Sequence, residues 1–202
     1  MDKIHIILGL QWILYCFFHS FLANDYIKKW IHRFTGIGVP AYRIVYNIFA
    51  LVYLFVLLRF QIGLKSTLLF HPFMASKAIA LLLIIFGNTI MLLCIIKYFK
   101  QLSGIYKIKG AGILQTDGLH KWVRHPLYFG TFIFLIGLVV YYPLLKNMIA
   151  TSIIILYTLA GAWLEEKKLV LTFGEAYKIY QQKVPMIIPG LKWHSRKKFA
   201  ED

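Results

Sequence analysis

Acidic residues are scarce in this chain. Eight Asp and Glu stand against 23 Lys and Arg in 202 residues, and charged residues of both signs make up only 15%. Soluble domains carry about 25%, so a surface built wholly for water is excluded. Cysteine is nearly absent as well. Cys16 and Cys94 both lie inside apolar runs, which leaves no disulfide framework and no cysteine-based metal site. The fingerprint Gly-x-Gly-x-x-Gly does not occur, so a Rossmann-type nucleotide site is excluded. Internal repeats and low-complexity runs are also missing.

What is present is apolar: 59% of the residues are hydrophobic, against roughly 45–50% in soluble domains. A helix that crosses a bilayer needs about 20 mostly apolar residues, and five runs qualify or nearly so. They are Ile4 to Ala23, Ile44 to Leu58, Ala78 to Ile96, Leu127 to Leu145 and Met148 to Leu164. The first is long and lacks a small-residue cleavage pattern after it, so it is expected to remain as a span and not act as a signal peptide. The fourth and fifth are separated by Lys146 and Asn147 alone, which predicts a tight antiparallel hairpin. Gly130 and Gly137 on one arm, with Ala160, Gly161 and Ala162 on the other, suit close helix packing.

The expected fold class is therefore all-α: a polytopic membrane protein of five transmembrane helices, with a C-terminal helical hairpin and an interfacial helix. It forms a single membrane domain over 1–202, with a three-span N-terminal part over 1–100. Five spans put five of the 23 basic residues on one side and 18 on the other. The positive-inside rule then predicts an external N-terminus and a cytoplasmic C-terminus, as in a bacterial inner membrane. The net charge of +15 reads mainly as juxtamembrane lysines facing anionic lipid. Nucleic acid is not an expected partner, because the basic residues flank spans and no binding motif accompanies them.

Chemistry concentrates on the cytoplasmic side. The long connection Lys97 to Arg124 is punctuated by Ser103-Gly104, Gly110-Ala111-Gly112 and Asp117-Gly118, and loops of this length are commonly functional. It runs into Arg124-His125-Pro126-Leu127-Tyr128. Pro126 suits the first position of a helix, where its missing N–H costs nothing, and His125 is held extended before it. The free N–H groups of that helix start favour an anionic group. At the exit of the fifth run stand Glu165 and Glu166. Ionisable groups at a membrane boundary mark functional sites by default. Beyond them Leu169, Phe173, Tyr177, Tyr180 and Val184 recur at helical spacing, which predicts one helical face carrying Glu166, Val170, Phe173 and Tyr177.

Taken together, Asp117-Gly118, Arg124-His125-Pro126, Tyr128, Gly130, Glu165-Glu166, Leu169, Phe173-Gly174, Tyr177, Tyr180, Val184-Pro185 and Pro189 resemble the integral-membrane methyltransferases. That superfamily includes isoprenylcysteine carboxyl methyltransferases, phospholipid methyltransferases and bacterial relatives. The resemblance covers roughly residues 112–190, the methyltransferase-like part. It implies S-adenosylmethionine bound in a cytosolic pocket closed by the C-terminal segment. By the same resemblance His125, with the backbone at Pro126 and Leu127, contacts the cofactor, and Tyr128 lines its pocket. Glu165 and Glu166 hold its amino acid moiety or ribose, and Tyr177 caps it. Where this chain has His120 the family commonly carries an aromatic residue. His19-Ser20-Phe21-Leu22-Ala23, Lys28-Lys29-Trp30 and Tyr42-Arg43 are similar to the opening of bacterial thiol methyltransferases and NnrU-like membrane proteins.

The expected activity is methyl transfer to a lipophilic or small acceptor, a carboxylate, thiol or amine. Arg124 or Arg43 would steer an anionic acceptor, and His19 or His120 would serve as base. His19 reads equally as a core histidine bonded to Ser or Asn88. The segment Glu165 to Val184 is expected to be a lid hinged at Gly174, mobile until cofactor gives the two glutamates partners. The competing reading is a non-enzymatic haem- or metal-binding protein using His19, His120 and His125, or a scaffold of NnrU-like type.

Overall fold

The computed structural model describes residues 3–102 and 113–191; Ser103-Gly104 and Gly110-Ala111-Gly112 lie outside the described residues. Seven α-helices follow one another: α1 (Lys3–Ala23), α2 (Asp25–Thr35), α3 (Val39–Gly63), α4 (Met74–Leu102), α5 (Pro126–Tyr141), α6 (Leu145–Phe173) and α7 (Glu175–Lys183). A 3-10 turn, Gly118–Lys121, precedes α5. Four helices, α1, α3, α4 and α6, are long and apolar enough to cross a membrane, and α5 is a shorter apolar helix. The chain is an all-α polytopic membrane protein.

Sequence-local chemistry explains the breaks. Asn24 caps α2 by accepting a hydrogen bond from the Tyr26 N–H, and Gly36, at φ +70°, closes its other end. Pro126 opens α5 and Pro143 stands in the turn that follows it. Gly174 adopts φ +57° and ψ −130°, a region that excludes side chains, and there the chain leaves α6 and turns back as α7. The expected continuous helical face from Glu166 to Tyr177 is therefore interrupted.

Two packing seams organise the spans. Leu8, Trp12, Leu57 and Ala150 join α1, α3 and α6. Ile90, Cys94 and Tyr98 of α4 pack with Leu127 and Phe129 of α5 and with Leu119. The close approach of small residues falls between α4 and α5 and not within the α5–α6 hairpin. A Cβ on Gly130 would lie 2.9 Å from the Gly87 carbonyl oxygen, and one on Gly137 would lie 3.0 Å from that of Ala80. Gly161 has nothing within 4 Å of its Cβ position. Large apolar side chains point outward from the spans, Leu51, Phe55, Leu82 and Ile96 among them, as lipid solvation permits.

The end of the bundle far from α7 is held by polar bonds. Trp12 Nε1 donates to Gln61 Oε1 at 2.8 Å, and Gln61 Nε2 to Asn147 Oδ1 at 3.1 Å. Lys146 Nζ donates to the Ile62 and Leu64 carbonyls at 3.0 and 2.7 Å, satisfying the C-terminal end of α3. His5 Nε2 lies 2.9 Å from Ser66 Oγ. These bonds clamp α1, α3 and α6 together and leave the opposite end for the site.

Candidate active site

Local structure first positions the arginine and histidine. Asp117 starts the 3-10 turn and pairs with Lys97 at 2.9 Å, while Gly118 takes φ +59°. The turn sets His120 with Nδ1 3.0 Å from the Tyr98 hydroxyl, the two rings edge to face. Tyr180 donates its hydroxyl to the His120 carbonyl at 2.6 Å. Burial pushes the Tyr180 phenol up to about 12, so it remains a donor at any physiological pH. The chain then runs alongside the C-terminal segment: the Arg124 N–H donates to the Pro185 carbonyl at 2.9 Å, and the His125 N–H to that of Met186 at 3.0 Å.

Glu166 is the hub. Its Oε1 accepts from Arg124 Nε at 2.8 Å, His125 Nε2 at 2.9 Å and the Tyr177 hydroxyl at 2.8 Å. Its Oε2 accepts from Arg124 Nη2 at 2.8 Å and from the Gln181 amide. The arginine fork is bidentate, the strongest form of such a pair. Arg124 Nη1 continues to the carbonyls of Gln181 and Val184 at 3.0 and 2.6 Å. Both partners are nearly out of solvent, with side chains 10% and 9% exposed. Burial, and then the bond to Glu166, raise the Tyr177 phenol far above its ordinary value, which keeps it a donor to the carboxylate.

Glu165 differs in every respect. Its side chain is 47% exposed, and Oε2 lies 3.6 Å from His125 Nδ1. The Tyr128 hydroxyl donates to the same oxygen at 3.3 Å, and the Tyr128 ring stacks on His125 with centroids 5.4 Å apart. Pro126 is buried at the first position of α5. The N–H groups of Leu127 and Tyr128, in the first helical turn, have no intrahelical acceptor. Half-exposed carboxylate, imidazole, phenol and helix start thus form one open face beside the closed hub.

Of the residues predicted from sequence, Arg124, His125, Tyr128, Glu165, Glu166 and Tyr177 converge here, with Pro126 and Leu127 forming the helix start and His120 behind Tyr180. His19 does not join them. It is exposed on α1, stacked with Tyr15 at 6.1 Å, in a narrow cleft with Tyr46, Phe49 and Tyr53. Among the described residues it makes no hydrogen bond to Ser or Asn88, and His19, His120 and His125 form no common metal-ligand group. The expectation that the two glutamates lack partners without cofactor holds for neither: Glu166 is saturated by the protein itself. Sequence reasoning missed Gln181 and Tyr98. Gln181 follows Tyr177 by four residues, a helical spacing that marks both for one target. Tyr98 carries no comparable signal.

The chain matches the family described as protein of unknown function (DUF1295) over residues 24–184. The chain belongs to the DUF1295 family. A methanethiol S-methyltransferase of a Pseudomonas species is 32% identical to this DUF1295 protein over 185 residues, covering 85% of this chain and 68% of the relative. Methanethiol S-methyltransferase 1 of Bradyrhizobium diazoefficiens is 27% identical over 184 residues, covering 85% of this chain. The chain spans 62% of that relative's length. A protein-S-isoprenylcysteine O-methyltransferase of Schizosaccharomyces pombe is 38% identical over 81 residues, 38% of this chain and 33% of the relative. These likenesses join the DUF1295 protein to the membrane methyltransferase superfamily that its motifs resemble. No solved structure matches it.

Proposed function

We propose that this protein is a membrane-embedded methyltransferase that moves a methyl group from S-adenosylmethionine to a small or lipophilic acceptor on the cytoplasmic side. The observation that carries the reading is the split between the two adjacent glutamates. Glu166 is spent on holding the architecture, while Glu165, His125, Tyr128 and the start of α5 present an open face of matched polarity.

That face fits an amino acid and ribose. The Glu165 carboxylate can accept from an ammonium group or from ribose hydroxyls, and the α5 N–H groups favour a carboxylate. Bound S-adenosylmethionine supplies a methyl group already activated on a sulfonium. The protein's part is then to align donor and acceptor and to keep water out. Arg124, with its fork on Glu166, is a positioning residue that locks α7 and Val184–Met186 over the helix start; it has no donor left with which to steer an acceptor. Tyr177 and Gln181 act through the same lock.

The relatives named for methanethiol and for isoprenylcysteine support a sulfur or carboxylate acceptor. A thiol must lose its proton, and His120 is the candidate base, held by Tyr98 and the Tyr180 hydroxyl in the same wall. α5 has 16 residues, about 24 Å at 1.5 Å per residue, shorter than the roughly 30 Å hydrocarbon core. Its N-terminal end is accordingly recessed toward the lipid, within reach of an apolar acceptor.

Calorimetry in detergent tests the assignment. The wild-type protein should bind S-adenosylmethionine, and Glu165→Gln should weaken binding by about 1–3 kcal/mol, the usual cost of a lost charged hydrogen-bond partner. Label from methyl-tritiated donor should appear in methanethiol or in a prenylated cysteine analogue. A wild-type protein that binds no S-adenosylmethionine would end this reading.

A further inference from the structure

The helix between the first two spans has a surface that the methyltransferase reading does not use. α2 is complete in itself, capped by Asn24 and Gly36, and none of its residues is buried. At 3.6 residues per turn its side chains sort into three stripes. Ile27 and Ile31, half-buried, face the bundle. Tyr26, Trp30 and Phe34 follow one another at intervals of four and are 74%, 52% and 69% exposed. Trp30 and Phe34 are in ring contact at 4.8 Å. Along the free edge of that aromatic stripe run Lys29 and Arg33, also four apart and exposed.

Three exposed aromatic rings bordered by cations do not suit water, and free phosphate or nucleic acid would leave the rings uncovered. Both ends of α2 are tied to spans, α1 ending at Ala23 and α3 beginning at Val39, so the helix is held at the depth where a bilayer's headgroups begin. Aromatic rings settle at that depth, and basic side chains there attract anionic lipid. Lys28 is turned away from this edge, onto Asp25 at 3.0 Å. Asp25 also lies 3.8 Å from Lys168 of α6, one turn beyond Glu165.

We propose that α2 is a docking surface for anionic lipid: Tyr26, Trp30 and Phe34 enter the acyl–headgroup boundary, and Lys29 and Arg33 hold lipid phosphates. The lipid-facing helix therefore sits against the same end of α6 that carries the glutamate pair.

The test uses the full chain in vesicles of phosphatidylglycerol and phosphatidylcholine. Energy transfer from the protein's tryptophans to labelled lipid reports which headgroup gathers at its boundary. Wild type should prefer the anionic label, and K29Q/R33Q should lower that preference roughly fivefold or more, since each basic residue near a membrane surface is worth about that factor. K65Q/K77Q, exposed at the opposite end of the bundle, should leave it unchanged. Equal preference in all three proteins would overturn the proposal, as would a wild type indifferent to headgroup charge. Brominated lipid supplies a second readout: the quenched tryptophan signal should shrink in W30F. An unchanged quenched signal in W30F would mean that Trp30 is not in lipid, and the docking surface would be refuted. Neither readout involves S-adenosylmethionine, so failure here is distinct from failure of the methyltransferase assignment.

Discussion

Glu165 and Glu166 are adjacent, yet one is half-exposed with two neighbours and the other nearly buried with five hydrogen bonds. Removing the second leaves the Arg124 guanidinium buried without its counter-charge, an error that costs about 3–5 kcal/mol. Glu166→Ala should therefore lower the thermal unfolding temperature in detergent sharply, whereas Glu165→Gln should melt like wild type and lose only ligand. His120 adds a pH dependence. Burial lowers its value below the ordinary 6.5, opposed by Asp117 and reinforced by the positive fields of His125 and Lys97, with the Tyr98 hydroxyl on Nδ1. The unfolded chain thus binds the proton more tightly. The stability this gives is complete above about pH 6.5 and is lost as pH falls through the folded value. Melting temperatures of His120→Phe should fall less steeply on the acid side than those of wild type. A parallel fall in both would remove His120 from the account.

The contact between α4 and α5 is made backbone to backbone at glycine. A Cβ on Gly87 would stand 2.6 Å from both the Gly130 carbonyl oxygen and the Phe134 nitrogen, and backbone atoms there cannot step aside. Gly87→Ala should destabilise by about 1–3 kcal/mol, the usual range for overpacking, while Gly161→Ala, with open space around it, should be neutral in the same chemical-denaturation experiment. α7 is equally specific in its attachment. Because Glu166, Arg124 and Tyr177 join without any ligand, amides in Glu175–Lys183 should already be protected from hydrogen exchange, and Glu166→Ala should expose them. Rapid exchange in the wild-type segment would restore the picture of a lid ordered only by cofactor.

Across the whole molecule, the site lies at one end of the bundle, with α2, the 3-10 turn and α7, and the Lys146, Gln61 and His5 contacts lie at the other. The 18-to-5 division of basic residues puts the site in the cytoplasm by the positive-inside rule. Labelling single introduced cysteines at Lys29 and Lys65 in intact cells should leave the first protected and modify the second. The reverse pattern would invert the protein and move the proposed donor site away from cytosolic cofactor.

Composition and the lengths of the apolar runs were enough for the fold class and for the spans, because burial in lipid is a local demand that each helix meets alone. The motif residues from Arg124 to Tyr177 were legible for a similar reason: charge at a membrane boundary stands out against its neighbours. Which helix each glycine serves was not legible, since Gly130 and Gly137 advertise close packing without naming a partner, and only the bundle set them on α4. Nor could a Glu-Glu pair disclose that one member is saturated. That depends on Gly174 turning the chain back so that Tyr177 and Gln181 reach the carboxylate from a direction helical periodicity does not contain. Local chemistry determined what the elements are; the meeting of distant elements decided which carboxylate holds the structure and which remains open to a ligand.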